Sequence, residues 1–127
     1  MPNYTLKNLK EVKDMAADND WPIEARFGRN ELGSAHLGLS HFKVGPNFRT
    51  PFGHRHREQE EIYLVLSGSG QMKLEDETVQ LREWDALRVA PEVARAFESG
   101  PDGLELLAIG SDRPEGGDGE QIQDFWE

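Results

Sequence analysis

The stretch that decides the fold is residues 54–68, HRHREQEEIYLVLSG. Residues two apart on a β-strand point to the same face, so a strand over this His-Arg-His would project His54 and His56 from one side. Four polar residues then turn the chain, and Glu61 opens the apolar run 62–66, which ends at a Ser-Gly turn signal. The spacing therefore predicts two neighbouring strands that bring the two imidazoles and the carboxylate together.

These three side chains form a candidate metal site. Two neutral imidazoles and one carboxylate are a mixed nitrogen and oxygen set that suits divalent iron, manganese, nickel, zinc or copper. Three ligands on one side of an ion leave positions open for water or a substrate. Glu60 lies next to Glu61 and is the alternative carboxylate.

Residues 54–68 resemble the first conserved motif of the cupin superfamily, which reads His-x-His, three or four residues, Glu, six residues and Gly. In that register Glu61 is the third ligand. Residues 84–98 resemble the second cupin motif, which reads Gly-Asp, an apolar strand, Pro-x-Gly and then a His before an aromatic residue. Arg95 stands where the family places that fourth ligand, and a guanidinium cannot bind a metal because it offers only donors.

The resemblance implies an all-β fold, a cupin-type double-stranded β-helix or jelly-roll barrel, over roughly residues 35–110. We predict an N-terminal arm at 1–20 with a weak helical pattern, the barrel at 21–110, and a flexible, acidic, glycine-rich tail at 111–127, whose Phe-Trp pair is a candidate docking element. Brief apolar runs separated by turn residues predict strands near Ala35–Val44, Gly53–His56, Ile62–Ser67, Gly70–Glu75, Thr78–Leu81, Ala86–Val89, Ala94–Glu98 and Leu104–Ile109.

Strand alternation predicts which side chains share the cavity with Glu61. Tyr63 lies two residues further along the same predicted strand, and Phe97 shares a face with Arg95. Arg95 has two open interpretations: it pairs with Glu61 and replaces the metal's charge, or it anchors a carboxylate or phosphate of a substrate. His41, on the first long strand, is a further candidate for the missing fourth ligand.

Two function hypotheses follow from the resemblance. In the first, His54, His56 and Glu61 hold a divalent ion at the mouth of the barrel, and the protein is an oxygenase or isomerase of a small organic substrate. In the second, no metal is bound and no turnover occurs, and the barrel holds or senses an apolar or anionic small molecule between Tyr63, Phe97 and Arg95.

The composition narrows the range of partners. The chain has 127 residues, with 14 basic against 24 acidic side chains and a net charge of −10, which disfavours nucleic acid and anionic membrane surfaces. It contains no cysteine and no apolar run long enough to span a bilayer, so we expect a cytoplasmic protein. The run 62–66 is apolar on both faces, which predicts a second apolar contact surface and a homodimer.

Overall fold

A single curved antiparallel sheet organises the chain in the computed structural model, which describes residues 2–127. The sheet runs β1-β2-β7-β3-β8, and β4 pairs with β5, β6 and β7. The all-β prediction is therefore confirmed. The elements in chain order are a 3₁₀ helix (Leu9–Glu11), β1 (Ile23–Phe27), α1 (Arg29–Leu32), β2 (Gly38–Val44), β3 (Gly53–His56), β4 (Glu61–Leu74), β5 (Glu77–Arg82), β6 (Ala86–Val89), β7 (Arg95–Gly110) and β8 (Gly119–Ile122).

The two longest strands, β4 and β7, pair along most of their length and form the spine of the barrel. Each was predicted as two shorter strands, and that prediction is wrong. The Gly-Ser segment inside β4 makes a bulge, with register shifts at Val65/Ser67 and Gly68/Gly70, instead of a turn. Gly68 has φ 80°, and a side chain there would collide with the backbone carbonyl of Gly103. The bulge bends the strand without ending it.

The core lies on one face of this sheet. Alternation along β4 buries Tyr63 and Val65, whereas Ile62 on the opposite face is 39% exposed. Burying one such side chain stabilises the fold by about 1.5–3 kcal/mol. The buried core cluster consists of Val44, Tyr63, Val65, Met72, Leu81, Val89, Phe97, Leu104, Leu106 and Ala108.

The N-terminal arm differs from the weak helix predicted for it. Among residues 2–20, only Leu9–Glu11 is helical. The Asp14 carboxylate accepts hydrogen bonds at 2.9 Å from the backbone amides of both Ala16 and Ala25. Those bonds tie the arm to β1, which the sequence did not predict. Leu6 is 87% exposed, so the apolar residues of the arm do not share a buried face. No helix among residues 2–127 is long and apolar enough to cross a membrane.

The C-terminal segment also differs from the prediction of a free tail. β8 pairs with β3 in register, Asp118 is only 3% exposed, and the Trp126 indole donates a 2.9 Å hydrogen bond to the Thr50 carbonyl. Gly53 makes this possible, because a Cβ there would lie 2.7 Å from the Phe125 ring. Backbone pairing therefore orders an acidic, glycine-rich segment that composition alone marked as unable to order itself.

Candidate functional site

Three potential metal ligands converge on one wall of the barrel. One ligand atom each of His54, His56 and Glu61 lies within 4.8 Å of the other two. The Nε2 atoms of the two histidines are 3.5 and 3.4 Å from Oε1 of Glu61. The alternative carboxylate, Glu60, is exposed and contacts Arg88 at 3.1 Å instead. The structure thus brings together the three side chains that the spacing singled out.

Glu61 is the centre of this cluster. Its Oε1 accepts hydrogen bonds of 2.8 Å from the Tyr63 hydroxyl and 2.8 Å from Nη2 of Arg95. Burial raises the pKa of Glu61, but the neighbouring histidines, Tyr63 and Arg95 more than reverse this and hold it far below its usual range. Burial, and then the Glu61 charge, raise the pKa of Tyr63 far above its usual range. The site therefore contains a carboxylate anion and a neutral phenol.

Arg95 is fully buried and forms a fixed cation inside the barrel. Besides Glu61, it donates to the Tyr63 hydroxyl at 3.3 Å and to the Pro91 and Val93 carbonyls at 3.1 and 2.7 Å. Four of its five N–H groups are thus engaged. The geometry agrees with the Glu61 pairing and leaves Arg95 little capacity to anchor a substrate.

Asp118, which precedes β8, supports His56 from behind. Its Oδ1 is 2.9 Å from Nδ1 of His56, and its Oδ2 accepts from the backbone amides of Glu58 and Gln59 at 2.7 and 2.9 Å. Burial raises the pKa of Asp118, but the bonds from Gln59 and the backbone lower it well below its usual range. Asp118 is therefore an anion that accepts a hydrogen bond from the imidazole.

This pairing decides which His56 nitrogen faces the cluster. The ionised Asp118 can only accept hydrogen bonds, so we assign the imidazole proton to Nδ1 of His56. The neutral ring then carries its lone pair on Nε2. That lone pair faces Oε1 of Glu61 at 3.4 Å, and two electron-rich atoms so close repel unless a proton or a cation lies between them. Burial lowers the pKa of His56, but the Glu61 and Asp118 carboxylates raise it above its usual value overall.

The same geometry fits a metal ion. Metal-bound histidines usually donate the N–H of their second ring nitrogen to a carboxylate, a backbone carbonyl or water, as His56 does to Asp118. Glu61 keeps a free ligand atom, because its Oε2 accepts no hydrogen bond from the part of the chain that the structure describes. The donor set and its support suit a divalent first-row ion.

The cluster opens into a cavity of about 470 Å³. Tyr63, Phe97 and Arg95 line it, as the alternation of the strands predicted. Phe42 packs edge-on against Phe97 with ring centroids 5.8 Å apart. Most of the wall is apolar, which is typical of a site for a small organic ligand. Besides Tyr63, the aromatic residues that border the cavity are Trp21, Phe27, Phe42, Phe48, Phe52 and Phe97.

His41 is not part of this site, so its candidacy as a fourth ligand or cavity residue is corrected. Ser40 and Phe42 border the cavity, and His41 between them points to the other face of β2. There its Nε2 is 2.6 Å from Oε2 of Glu105. The register of β2, which the sequence alone did not specify, removes His41 from the cavity.

Several site residues were missed by sequence reasoning. Asp118 lies in the segment predicted to be a mobile tail, and Gln59 lies in the polar turn between the two motif strands. Arg29, at the start of α1, borders the cavity with Trp21 and Phe27 from the region before the first predicted strand. No local pattern marks these residues, because tertiary contacts alone bring them to the site.

Comparison with known proteins agrees with the fold. No family model matches the chain, and no curated protein sequence matches it. Among solved structures, a cupin protein from Bacteroides fragilis matches with 24% identity and a TM-score of 0.73, covering 90% of this chain and 88% of that chain. The polyketide cyclase RemF from Streptomyces resistomycificus matches with 23% identity and a TM-score of 0.73, covering 95% and 85%.

A larger enzyme shares the same architecture over part of its length. Salicylate 1,2-dioxygenase from Pseudoaminobacter salicylatoxidans matches with 15% identity and a TM-score of 0.63, covering 70% of this chain and 26% of that chain. At such low identities, likeness of structure is evidence of fold. The His-x-His and Glu spacing, the bulged strand at Gly68 and these matches together show that this chain has the fold of the small cupin proteins.

Proposed function

We propose that this protein binds a divalent transition metal through His54, His56 and Glu61 and acts on a small, largely apolar organic molecule held in the barrel, as an oxygenase or an isomerase. The observation that carries this proposal is the convergence of the three ligand atoms within 4.8 Å on the wall of an apolar cavity. Iron, manganese, nickel, zinc and copper all suit the donor set.

Different residues of the chain would position the metal ligands and hold the organic molecule. Asp118 holds the His56 ring so that Nε2 faces the ion, and Arg95 and Tyr63 hold Glu61 in place. The aromatic wall around Phe97 excludes water and orients the ligand. A divalent ion bound here would act as a Lewis acid on an oxygen atom of the ligand. Two of the similar structures, a polyketide cyclase and a dioxygenase, are enzymes by their names, which agrees with a catalytic role.

Elemental analysis tests the metal. Protein purified without a histidine tag or chelator should contain about one metal ion per chain, since three ligands of one chain form the site. The ion should be lost from His54→Ala and Glu61→Ala and kept in His36→Ala, a matched control because His36 is exposed and pairs with Asp112 on the surface. A wild-type protein that stays metal-free after incubation with iron, manganese, nickel, zinc or copper would contradict the proposal.

A second candidate function is a non-catalytic small-molecule binder without a metal. The buried contact between Arg95 and Glu61 at 2.8 Å favours it, because Arg95 already supplies a positive charge at the fourth-ligand position. Oxygen consumption with iron and candidate ligands separates an oxygenase from a binder. Product analysis by mass spectrometry and NMR detects an isomerase, which consumes no oxygen.

We also propose a homodimer through the outer face of β4 and β7. Ile62 lies opposite Ile109, and Leu64 lies opposite Leu107, so four apolar side chains form one patch. Light scattering should give twice the chain mass for the wild type and a monomer for Ile62→Glu, and a monomeric wild type would contradict this. The cytoplasmic location stays a prediction.

A further inference from the structure

Arg29 is a cation on the cavity wall, and the hydrogen-bond acceptors that its guanidinium contacts in the described chain are neutral. Its side chain is half-buried, and Nη2 donates to Oε1 of Gln59 at 2.9 Å and to the carbonyl of Ser111 at 2.6 Å. Neither acceptor carries a charge. Across residues 2–127, no carboxylate oxygen lies within 4.0 Å of the Arg29 guanidinium.

This lack of a partner sets Arg29 apart from the other arginines that are not exposed. Each of those contacts a carboxylate at 2.6 to 2.9 Å. Arg29 has no such contact in the described chain, although the sequence contains 24 acidic side chains for 14 basic ones. Withdrawing a cation from water is costly unless an anion compensates. A carboxylate supplied by a bound molecule would provide that compensation. The three pairs are Arg26–Glu24, Arg55–Glu120 and Arg95–Glu61.

Two glycines make room for the Arg29 guanidinium. Gly38 of β2 lies opposite Gly110 of β7, and the guanidinium lies over this pair. A Cβ on Gly38 would be 2.5 Å from Nη2, and one on Gly110 would be 3.5 Å from it. A side chain at position 38 would therefore displace Arg29 from the wall. The two glycines leave room for the cation, and its hydrogen bonds to Gln59 and Ser111 hold it in one place, as recognition of a planar anion requires.

Arg29 is also linked to the metal-ligand cluster. Gln59 accepts from Arg29 through Oε1 and donates through Nε2 to Asp118 at 2.6 Å, and that Nε2 is 3.4 Å from Nδ1 of His56. An anionic group on Arg29 would thus lie one side chain away from His56. The rest of the ligand would then extend along the aromatic wall.

We propose that Arg29 is the anion subsite of the cavity and that the natural ligand is an apolar organic acid whose carboxylate binds this guanidinium. The inference deepens the proposed function and rests on the cavity being its ligand site. It moves the anchoring role from Arg95, whose N–H groups are engaged, to Arg29, whose Nε and Nη1 make no hydrogen bond within the described chain.

A pair of probes tests this directly. Binding of 2-naphthoate and of its neutral analogue 2-naphthamide is measured by calorimetry on chelator-treated protein. Wild type should bind the carboxylate about tenfold or more tightly than the amide, since hydrogen bonds to charged groups are the strong ones. Arg29→Gln should lose that preference and keep its affinity for the amide. Arg29→Lys should retain part of it, and Arg57→Gln, which changes an exposed cation outside the cavity, should retain all of it.

A second measurement needs no variant, which matters because Arg29 also ties Gln59 to Ser111. The ¹H–¹⁵N signal of the Arg29 Nε–H should move further downfield with 2-naphthoate, which forms a charged hydrogen bond, than with 2-naphthamide. The inference is overturned if wild type shows no preference, if Arg29→Gln keeps the preference, or if neither probe binds.

Repeating the titrations with metal separates the two proposals. A preference that is present without metal and depends on Arg29 supports the subsite, even if the chain proves unable to bind a metal. A preference that appears only after metal loading and ignores Arg29 would overturn the subsite while supporting the metal site.

Discussion

Two histidines of this barrel are each paired with a carboxylate, and the two pairs are built in opposite ways. His56 gives Nδ1 to Asp118 and turns Nε2 toward Glu61 in the cavity. His41 gives Nε2 to Glu105, and its buried Nδ1 has no partner within residues 2–127. The second ring nitrogen of His56 therefore lies in the metal-ligand cluster, whereas that of His41 is buried away from the cavity.

The difference begins with the faces of the strands. His54 and His56 share the inner face of β3, and the pairing of β3 with β8 holds Asp118 next to His56. His41 lies on the outer face of β2, where the neighbouring strand β7 supplies Glu105. The same pair of residue types thus serves two purposes according to the face it occupies.

The largest expected difference between the two pairs is in metal binding. His56→Ala should lower the affinity for zinc or iron by more than about 100-fold, because it removes one of three ligands. His41→Ala should leave the affinity unchanged, since His41 points away from the cluster. Metal titration followed by elemental analysis measures both. Equal losses in the two variants would show that the distinction between the pairs is wrong.

Asp118→Asn should have a smaller effect on the same quantity. The amide keeps the shape but loses the charge that orients His56, and loss of such a support typically costs about 10- to 100-fold in metal affinity. Glu120→Gln is the matched control, because Glu120 lies two residues away and contacts Arg55 on the surface. Long-range ¹H–¹⁵N spectra of the His56 ring give a readout without metal: the Nδ1–H form should dominate in wild type and decline in Asp118→Asn. An unchanged ring and unchanged affinity would contradict the role of Asp118.

The smallest effect is expected at the His41–Glu105 pair and concerns the free energy of unfolding. Burial raises the pKa of Glu105, but the His41 hydrogen bond and the Lys10 charge bring it below its usual value. A carboxyl group with a lowered folded-state pKa stabilises the fold above its unfolded pKa, near 4.3, and that contribution is lost as the pH falls through the folded value. Glu105→Gln should therefore lower the free energy of unfolding by about 1 kcal/mol at pH 6 and by less at pH 3.

Urea unfolding at the two pH values measures this difference. The metal affinity of Glu105→Gln should equal that of wild type, because the pair lies outside the cavity. A destabilisation that does not diminish on acidification would show that the ionised carboxylate is not what stabilises the pair.

The motif spacing made the barrel and its three-donor cluster predictable. His54, His56 and Glu61 are close in sequence, so strand alternation and one turn suffice to bring them together. Alternation also predicted the faces of Tyr63 and Phe97. These predictions depend on local backbone geometry, which residues close together in the sequence determine.

The residues that complete the site could not be predicted because long-range pairing positions them. Asp118 is 62 residues from His56, in a segment whose composition suggests disorder. Arg29 contacts Ser111 across 82 residues. Likewise, the face that His41 occupies depends on the register of β2 against β7, which no feature of the β2 segment specifies.

The pairing of β3 with β8 has a consequence for the order in which the protein is made. β3 pairs with β7 only at His54–Arg95, whereas all four of its residues pair with β8. The ribosome synthesises His54 and His56 long before Asp118 and β8, because β8 lies near the end of the sequence. The strand that carries both histidines therefore lacks its main pairing partner until β8 has been made. A nascent chain halted before residue 118 would contain all three donors but lack the carboxylate that orients His56. We therefore expect tight metal uptake to follow the emergence of β8 from the ribosome.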